Sequence, residues 1–200
     1  MHINAVRIHA GQLGRRRIVM VSERKPDSYS LPSITLHWLM LLVITAVYAA
    51  IELREFWPKG SVSRDALKNW HFMLGLSVFG LVWLRVAARL IWPAPAPLDG
   101  PGWQKLTANV THVALYLLMI GMPIAGWLIL SAEGKPIPFF GFELPPLTGP
   151  NEALAEEIED LHGLGGTIGY WLIGFHAAAS LFHHYVLKDK LLLRMRHART

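Results

Sequence analysis

"LHGLGGTIGYWLIGFHAAASLFHHYVLK", residues 161–188, is an apolar stretch that carries four histidines. Three of them fall in register: His162 to His176 is a step of fourteen residues, and His176 to His183 a step of seven. At about 3.6 residues per turn, both steps return to nearly the same side of a helix. The stretch therefore predicts a membrane-length helix with a stripe of imidazoles down one side.

The rest of the chain has the same character. Of its 200 residues, 52% are hydrophobic and only 16% charged, with a mean hydropathy of +0.33. That balance points away from an ordinary soluble domain and toward a single-domain protein of the lipid bilayer. There is no cysteine, which excludes disulfides, thiolate-held iron–sulfur clusters and covalent haem attachment through C-x-x-C-H. The formal charge is +5. In a membrane protein such a balance reports topology, and we expect no nucleic-acid partner.

Four apolar spans follow a basic tail. The tail, residues 1–33, lacks the long apolar core of a cleaved signal peptide and reads as cytoplasmic, with Met20 a second candidate start besides Met1. The spans cover about 34–53, 69–92, 104–130 and 158–187, each long enough for a hydrocarbon core that needs ~20 residues. Residues 34–187 form the expected di-haem membrane domain, and 188–200 a second basic tail. The longest link, "SAEGKPIPFFGFELPPLTGPNEALAEE" (131–157), is expected to be an ordered loop on one membrane face. Fourteen of the nineteen Lys and Arg fall in the two tails and the second link with its flanks. The positive-inside rule then places both termini in the cytoplasm. The predicted class is all-α, an integral membrane four-helix bundle.

This topology sorts the histidines by depth. His37 lies at the inner level of the first span, His71 at the outer level of the second, and His112 in the inner half of the third. In the fourth span His162 is near the outer end, His176 is ~21 Å deeper, and His183 is ~10 Å further, at the inner boundary. Two layers emerge, His71 with His162 and His37 with His176. Facing imidazoles above and below a porphyrin make a six-coordinate b-type haem, which favours electron transfer over oxygen binding. Two such sites ~20 Å apart in helix rise would carry electrons across the bilayer. Gly75, Gly165, Gly166 and Gly169 follow the outer pair at helical spacings and would leave room for a flat macrocycle, although small residues also serve helix contacts.

A single histidine in a membrane helix is as readily a hydrogen-bonded packing residue. Five in matching layers are harder to explain that way, because ionisable groups at this depth are costly. A zinc or copper site is disfavoured by the scarcity of carboxylates in the spans and by the distance between layers. His2, His9 and His197 lie in the tails, and His184, turned ~100° from His183, is expected to reach the headgroups.

Several segments add a specific resemblance. "LHWLMLLVI", "LVWLRVAARL", "THVALYLLMIGMPIAGW" and above all "GYWLIGFHAAASLFHHYVLKDKLLLRM" resemble the bacterial cytochrome b561 family, and in particular its superoxide-oxidising, ubiquinone-reducing branch. The resemblance runs from about residue 30 to 196. It implies a four-helix bundle of the inner membrane with two non-covalent haems b, ligated at positions matching His37, His71, His162 and His176. It also implies ubiquinone contacts at His112 and His183, superoxide as electron donor and ubiquinone as acceptor. The chain departs from its relative at Leu161, where the relative carries tryptophan, and in the charges of its outer links.

Arg85 and Arg89, at the inner end of the second span, could neutralise a haem propionate or contact the quinone, or simply snorkel to the interface. Arg54, Lys59, Arg64, Lys68 and Lys135 lie on the outer side, where they could draw in a small anion or merely face water. Trp38, Trp57, Trp70, Trp92 and Trp103 sit near span ends, as interfacial belting explains. Three functions remain open: a superoxide:ubiquinone oxidoreductase, an electron-transfer subunit linking quinone to an unidentified dehydrogenase, and a non-redox helper in metal or haem transport.

Overall fold

The computed structural model describes residues 28–96, 100–189 and 191–196. The expectations for 1–27, including His2, His9 and the alternative start at Met20, and for His197 lie outside the described residues. Four long helices account for most of the rest: α1 Leu31–Leu53, α2 Val62–Ile91, α3 Gly102–Ala132 and α4 Glu152–Tyr185.

Each helix starts where local chemistry allows it. Pro32 occupies the first turn of α1, where a missing N–H costs nothing. Ser61 caps α2 by accepting from the Arg64 N–H at 3.3 Å, and the Asn151 side chain caps α4 by accepting from the Leu154 N–H at 3.1 Å. Because of these caps, α2 and α4 begin about two turns before the apolar spans do. The extra turns carry charged side chains, among them Arg64, Asp65, Glu156 and Glu157.

Three helices, α1 with the turn after it, α2 and α3, are apolar and long enough to cross a membrane by themselves. α4 is not among them, although all four spans were expected to qualify. Its four histidines and five glycines dilute its hydropathy over 34 residues. The polar burden of the histidine stripe is what sets it apart.

The link after α3, expected as an ordered loop, contains a β-hairpin. Ile137–Phe139 (β1) and Phe142–Leu144 (β2) pair antiparallel, with Phe139 opposite Phe142. The connecting Phe140 and Gly141 both have positive φ, 47° and 91°, which is what a tight two-residue hairpin needs. The hairpin packs onto the end of the bundle that the sequence expects to be the outer one, where Ile137 joins Leu76 and Leu130 in an apolar cluster with Phe72, Trp127, Phe139 and Leu144 around it.

α1 packs on α2, α2 on α3, and α3 on α4. No backbone contact of similar extent joins α1 to α4 among the described residues. Across that gap the two helices meet through long side chains. The Tyr48 hydroxyl donates to the Gly166 carbonyl at 2.9 Å, its ring lies 4.2 Å from that of Tyr170, and the Tyr170 hydroxyl donates to Glu52 at 2.8 Å. Half-way through the bundle Met40, Val78, Val82 and Met119 form a buried apolar plug. Large apolar side chains such as Leu42, Leu84, Leu117 and Phe175 face outward, the arrangement that lipid favours.

Candidate haem sites

The stripe on α4 meets one histidine layer at each level. At the outer level the rings of His71 and His162 have centroids 6.2 Å apart, with planes inclined by 75°. At the inner level His37 and His176 are 6.4 Å apart and inclined by 72°. Met40, one turn beyond His37, and Val78, two turns beyond His71, belong to the plug, so apolar packing separates the two layers.

These spacings fit axial ligation. Two imidazoles on opposite sides of one first-row metal, each bonded through nitrogen at about 2 Å, have ring centroids about 6 Å apart. The His71 ring is also held in a suitable state. Its Nδ1 lies 3.0 Å from the Val47 carbonyl oxygen. A carbonyl only accepts, so Nδ1 carries the proton and Nε2 keeps its lone pair for a metal. No group of three or more His, Cys, Asp or Glu among the described residues is arranged to hold a metal ion by itself. Each facing pair supplies two imidazole donors, which suits a metal whose remaining positions a macrocycle fills.

Space is present at the outer level. A cavity of about 410 Å³ is lined by residues of all four helices, including His71 and His162, with Gly75, Gly126, Gly163 and Gly166 on its walls. A Cβ built on Gly75, Gly163 or Gly166 meets no protein atom within 4 Å, so these backbones face open room. Gly165 and Gly169 serve the second of the two uses that the spacing left open, helix contact. A Cβ on Gly165 would come 2.5 Å from the Met122 sulfur, and one on Gly169 would overlap the Tyr48 hydroxyl. These two glycines let neighbouring helices approach α4, while Gly75 and Gly166 leave a face bare. The sequence pattern could not separate the two uses.

At the inner level a third imidazole is present. The His112 ring lies 5.6 Å from that of His176, nearer than His37 does. His112 is exposed and His183 half-buried. His183 has no ring contact with His112 among the described residues; its Nδ1 instead lies 2.5 Å from Asp189 Oδ2. Asp189 was not singled out in the sequence. The "HH…KD" spacing crosses the end of a helix, and only the turn after Tyr185 brings the carboxylate back. The Nδ1 of His184 is enclosed with no hydrogen-bond partner among the described residues.

Arg85 is positioned to act electrostatically on His37, His112 and His176, and its Nη1 is buried without a partner. A buried guanidinium N–H left unpaired calls for an anionic group, and a porphyrin carboxylate in this layer would supply one. Arg89 instead stacks on Tyr29 at 5.4 Å.

The outer cations also divide. Arg64 is buried and structural, donating to the carbonyls of Arg54 and Trp57 and to both oxygens of Glu55. Arg54 pairs with Glu55 at 3.0 Å, and Lys135 with Glu133 at 2.9 Å. Lys68 lines the cavity and has no carboxylate within ion-pair distance among the described residues.

Comparison with known proteins agrees with this geometry. A family described as prokaryotic cytochrome b561 matches residues 28–198. The chain is 36% identical over 170 residues to "Cytochrome b561 homolog 1" of Escherichia coli, covering 84% of this chain and 97% of that protein. It is 38% identical over 168 residues to "Probable superoxide oxidase CybB" of Yersinia pestis, covering 84% and 94%. "Cytochrome b561 homolog 2" of Escherichia coli is 32% identical over 187 residues, covering 85% and 92%. The chain belongs to the prokaryotic cytochrome b561 family and is a multi-pass haem b electron-transfer protein of the bacterial inner membrane.

Proposed function

We propose that this chain is a superoxide:ubiquinone oxidoreductase that binds two haems b, one per histidine layer. The observation that carries the proposal is the pair of facing imidazole couples, His71/His162 and His37/His176, at 6.2 and 6.4 Å on opposite sides of an apolar plug. Haem b would supply one-electron chemistry, held by His71 with His162 and by His37 with His176. The name of the Yersinia pestis relative supports superoxide as the donor.

Each residue then has a bounded task. His71, His162, His37 and His176 hold iron. Val47 fixes the His71 tautomer through its carbonyl. Arg85 pairs with a haem propionate. Lys68, at the cavity on the hairpin side, attracts the superoxide anion, which needs no base or nucleophile to give up one electron. His112 and His183 lie at the other end, where ubiquinone is reduced. Both termini are cytoplasmic in this arrangement, so the hairpin and cavity face the periplasm.

One observation favours a second reading, an electron-transfer subunit that takes electrons from a docked dehydrogenase. The ionic side chains lining the outer cavity are Arg54, Lys68 and Lys135 against Glu52, Glu133 and Glu159, a balanced set. A balanced mouth steers an anion less than a uniformly basic one. The purified holoprotein decides between them. Enzymatically generated superoxide should reduce ubiquinone-1 in its presence, with two haems per chain by pigment analysis. No superoxide-dependent quinol formation from fully loaded protein would leave the subunit reading.

A further inference from the structure

The inner end of the bundle is closed by the chain's own C-terminal segment. The Tyr29 N–H donates to the Arg194 carbonyl at 3.2 Å. The Trp38 indole N–H donates to the Met195 carbonyl at 3.1 Å. Arg194 Nη1 donates to the Ala96 carbonyl at 2.6 Å. The segment thus ties together the residues before α1, α1 itself and the α2–α3 link. Asp189 sits at its root, held by its own N–H to the His183 carbonyl at 3.1 Å and by the Leu191 N–H, which donates to Oδ1 at 3.0 Å. Its other oxygen, Oδ2, accepts from His183 Nδ1 at 2.5 Å.

We propose that Asp189 is a positioning residue that makes His183 a proton donor to the quinone. This deepens the ubiquinone reading above and rests on it. A carboxylate can only accept, so the short contact commits the Nδ1 proton to Asp189. Nε2 is then the nitrogen that faces other partners. In the singly protonated ring Nε2 has only a lone pair, and it cannot donate to a quinone carbonyl, which is itself an acceptor. His183 serves the quinone only with a second proton on Nε2, and the Asp189 charge opposes the positive charge which that proton brings. A carboxylate behind an imidazole fixes tautomer and orientation and stabilises the imidazolium in the same way elsewhere.

The balance is simple. Two superoxide anions each give one electron and leave as dioxygen, and ubiquinone takes two electrons and two protons. One Nε2–H bond breaks and one quinone O–H bond forms. His183 keeps its Nδ1–H, still donated to Asp189, and Nε2 regains a proton from water at the helix end. The second quinone proton comes from the same water. His183 and Asp189 have 25% and 23% of their side chains exposed, so water reaches the pair.

The test compares Asp189→Asn, Asp189→Glu and His183→Ala as holoproteins with superoxide and ubiquinone-1, all rates expressed per haem retained. Asparagine removes the charge and keeps one acceptor oxygen, enough for His183 Nδ1 or for the Leu191 N–H but not for both. We expect Asp189→Asn to lower kcat for quinone reduction about tenfold, with KM for ubiquinone-1 and superoxide-driven haem reduction unchanged. Asp189→Glu should restore most of the loss. Wild-type kcat in Asp189→Asn overturns the proposal, and so does an equal loss in the Asn and Glu variants, which marks a merely structural role. If His183→Ala slows quinone reduction while Asp189→Asn does not, the quinone site stands and the dyad fails. If His183→Ala reduces quinone normally, the quinone reading itself fails.

Discussion

Gly75 and Gly169 look alike in the sequence, each a glycine within an apolar helix, and the structure predicts opposite responses to added bulk. In a helix interior, Gly→Ala by itself gains up to about 1 kcal/mol of backbone propensity. At Gly75 nothing in the protein opposes that gain, since no atom lies within 4 Å of the new Cβ. At Gly169 the Cβ would overlap the Tyr48 hydroxyl and press on Leu118 Cδ1 at 3.3 Å and Cδ2 at 3.4 Å. Tyr48 would have to leave its 2.9 Å hydrogen bond to Gly166 and its 4.2 Å packing on Tyr170. Overpacking costs about 1–3 kcal/mol, and the lost hydrogen bond about 1 kcal/mol more. The sum exceeds the propensity gain, so Gly169→Ala should destabilise the bundle by about 1–3 kcal/mol. Gly75→Leu should behave in the reverse sense. The polypeptide accepts it, but the side chain enters the cavity where a macrocycle would lie against His71 and His162. Two assays separate the outcomes. Thermal unfolding in detergent, followed by helical circular dichroism, should fall for Gly169→Ala and hold for Gly75→Leu in the haem-free protein. Pigment content should fall toward one haem per chain in Gly75→Leu. Two full haems in Gly75→Leu would refute the placement of a porphyrin at that wall.

Further outcomes follow from the same geometry. His71→Ala or His162→Ala should remove the outer haem and leave much of the inner one, and His37→Ala or His176→Ala should do the reverse, by pigment analysis with redox titration. Because His112 stands nearer His176 than His37 does, His112→Ala is the decisive control: its inner haem spectrum should persist, and a loss would make His112 the ligand. Lys68→Glu should slow superoxide-driven reduction about tenfold at low salt, with the difference shrinking near physiological ionic strength, where the screening length is about 8 Å; haem content should not change. A reporter fused after Thr200 should read cytoplasmic and one inserted near Gly149 periplasmic.

Composition and period settle much of this protein by simple physics. A chain this apolar, cut into segments of bilayer length, must satisfy its backbone internally and so forms helices. Steps of fourteen and seven place His162, His176 and His183 on one side of α4 whatever that helix touches. Pairing by depth followed from span direction alone, and it matches the rings that the bundle brings to 6.2 and 6.4 Å. What tertiary structure alone decided are contacts between elements far apart in the chain. Which glycine faces a void and which faces Met122 or Tyr48 depends on how α4 is rotated against α1 and α3. That His112 reaches His176 depends on the pairing of α3 with α4. That Arg64 spends its guanidinium on Glu55 and two carbonyls, leaving Lys68 as the cavity cation without a carboxylate partner among the described residues, depends on the turn between α1 and α2. That Asp189 returns to His183 depends on the chain reversing after Tyr185, because a helical period stops predicting neighbours where the helix ends.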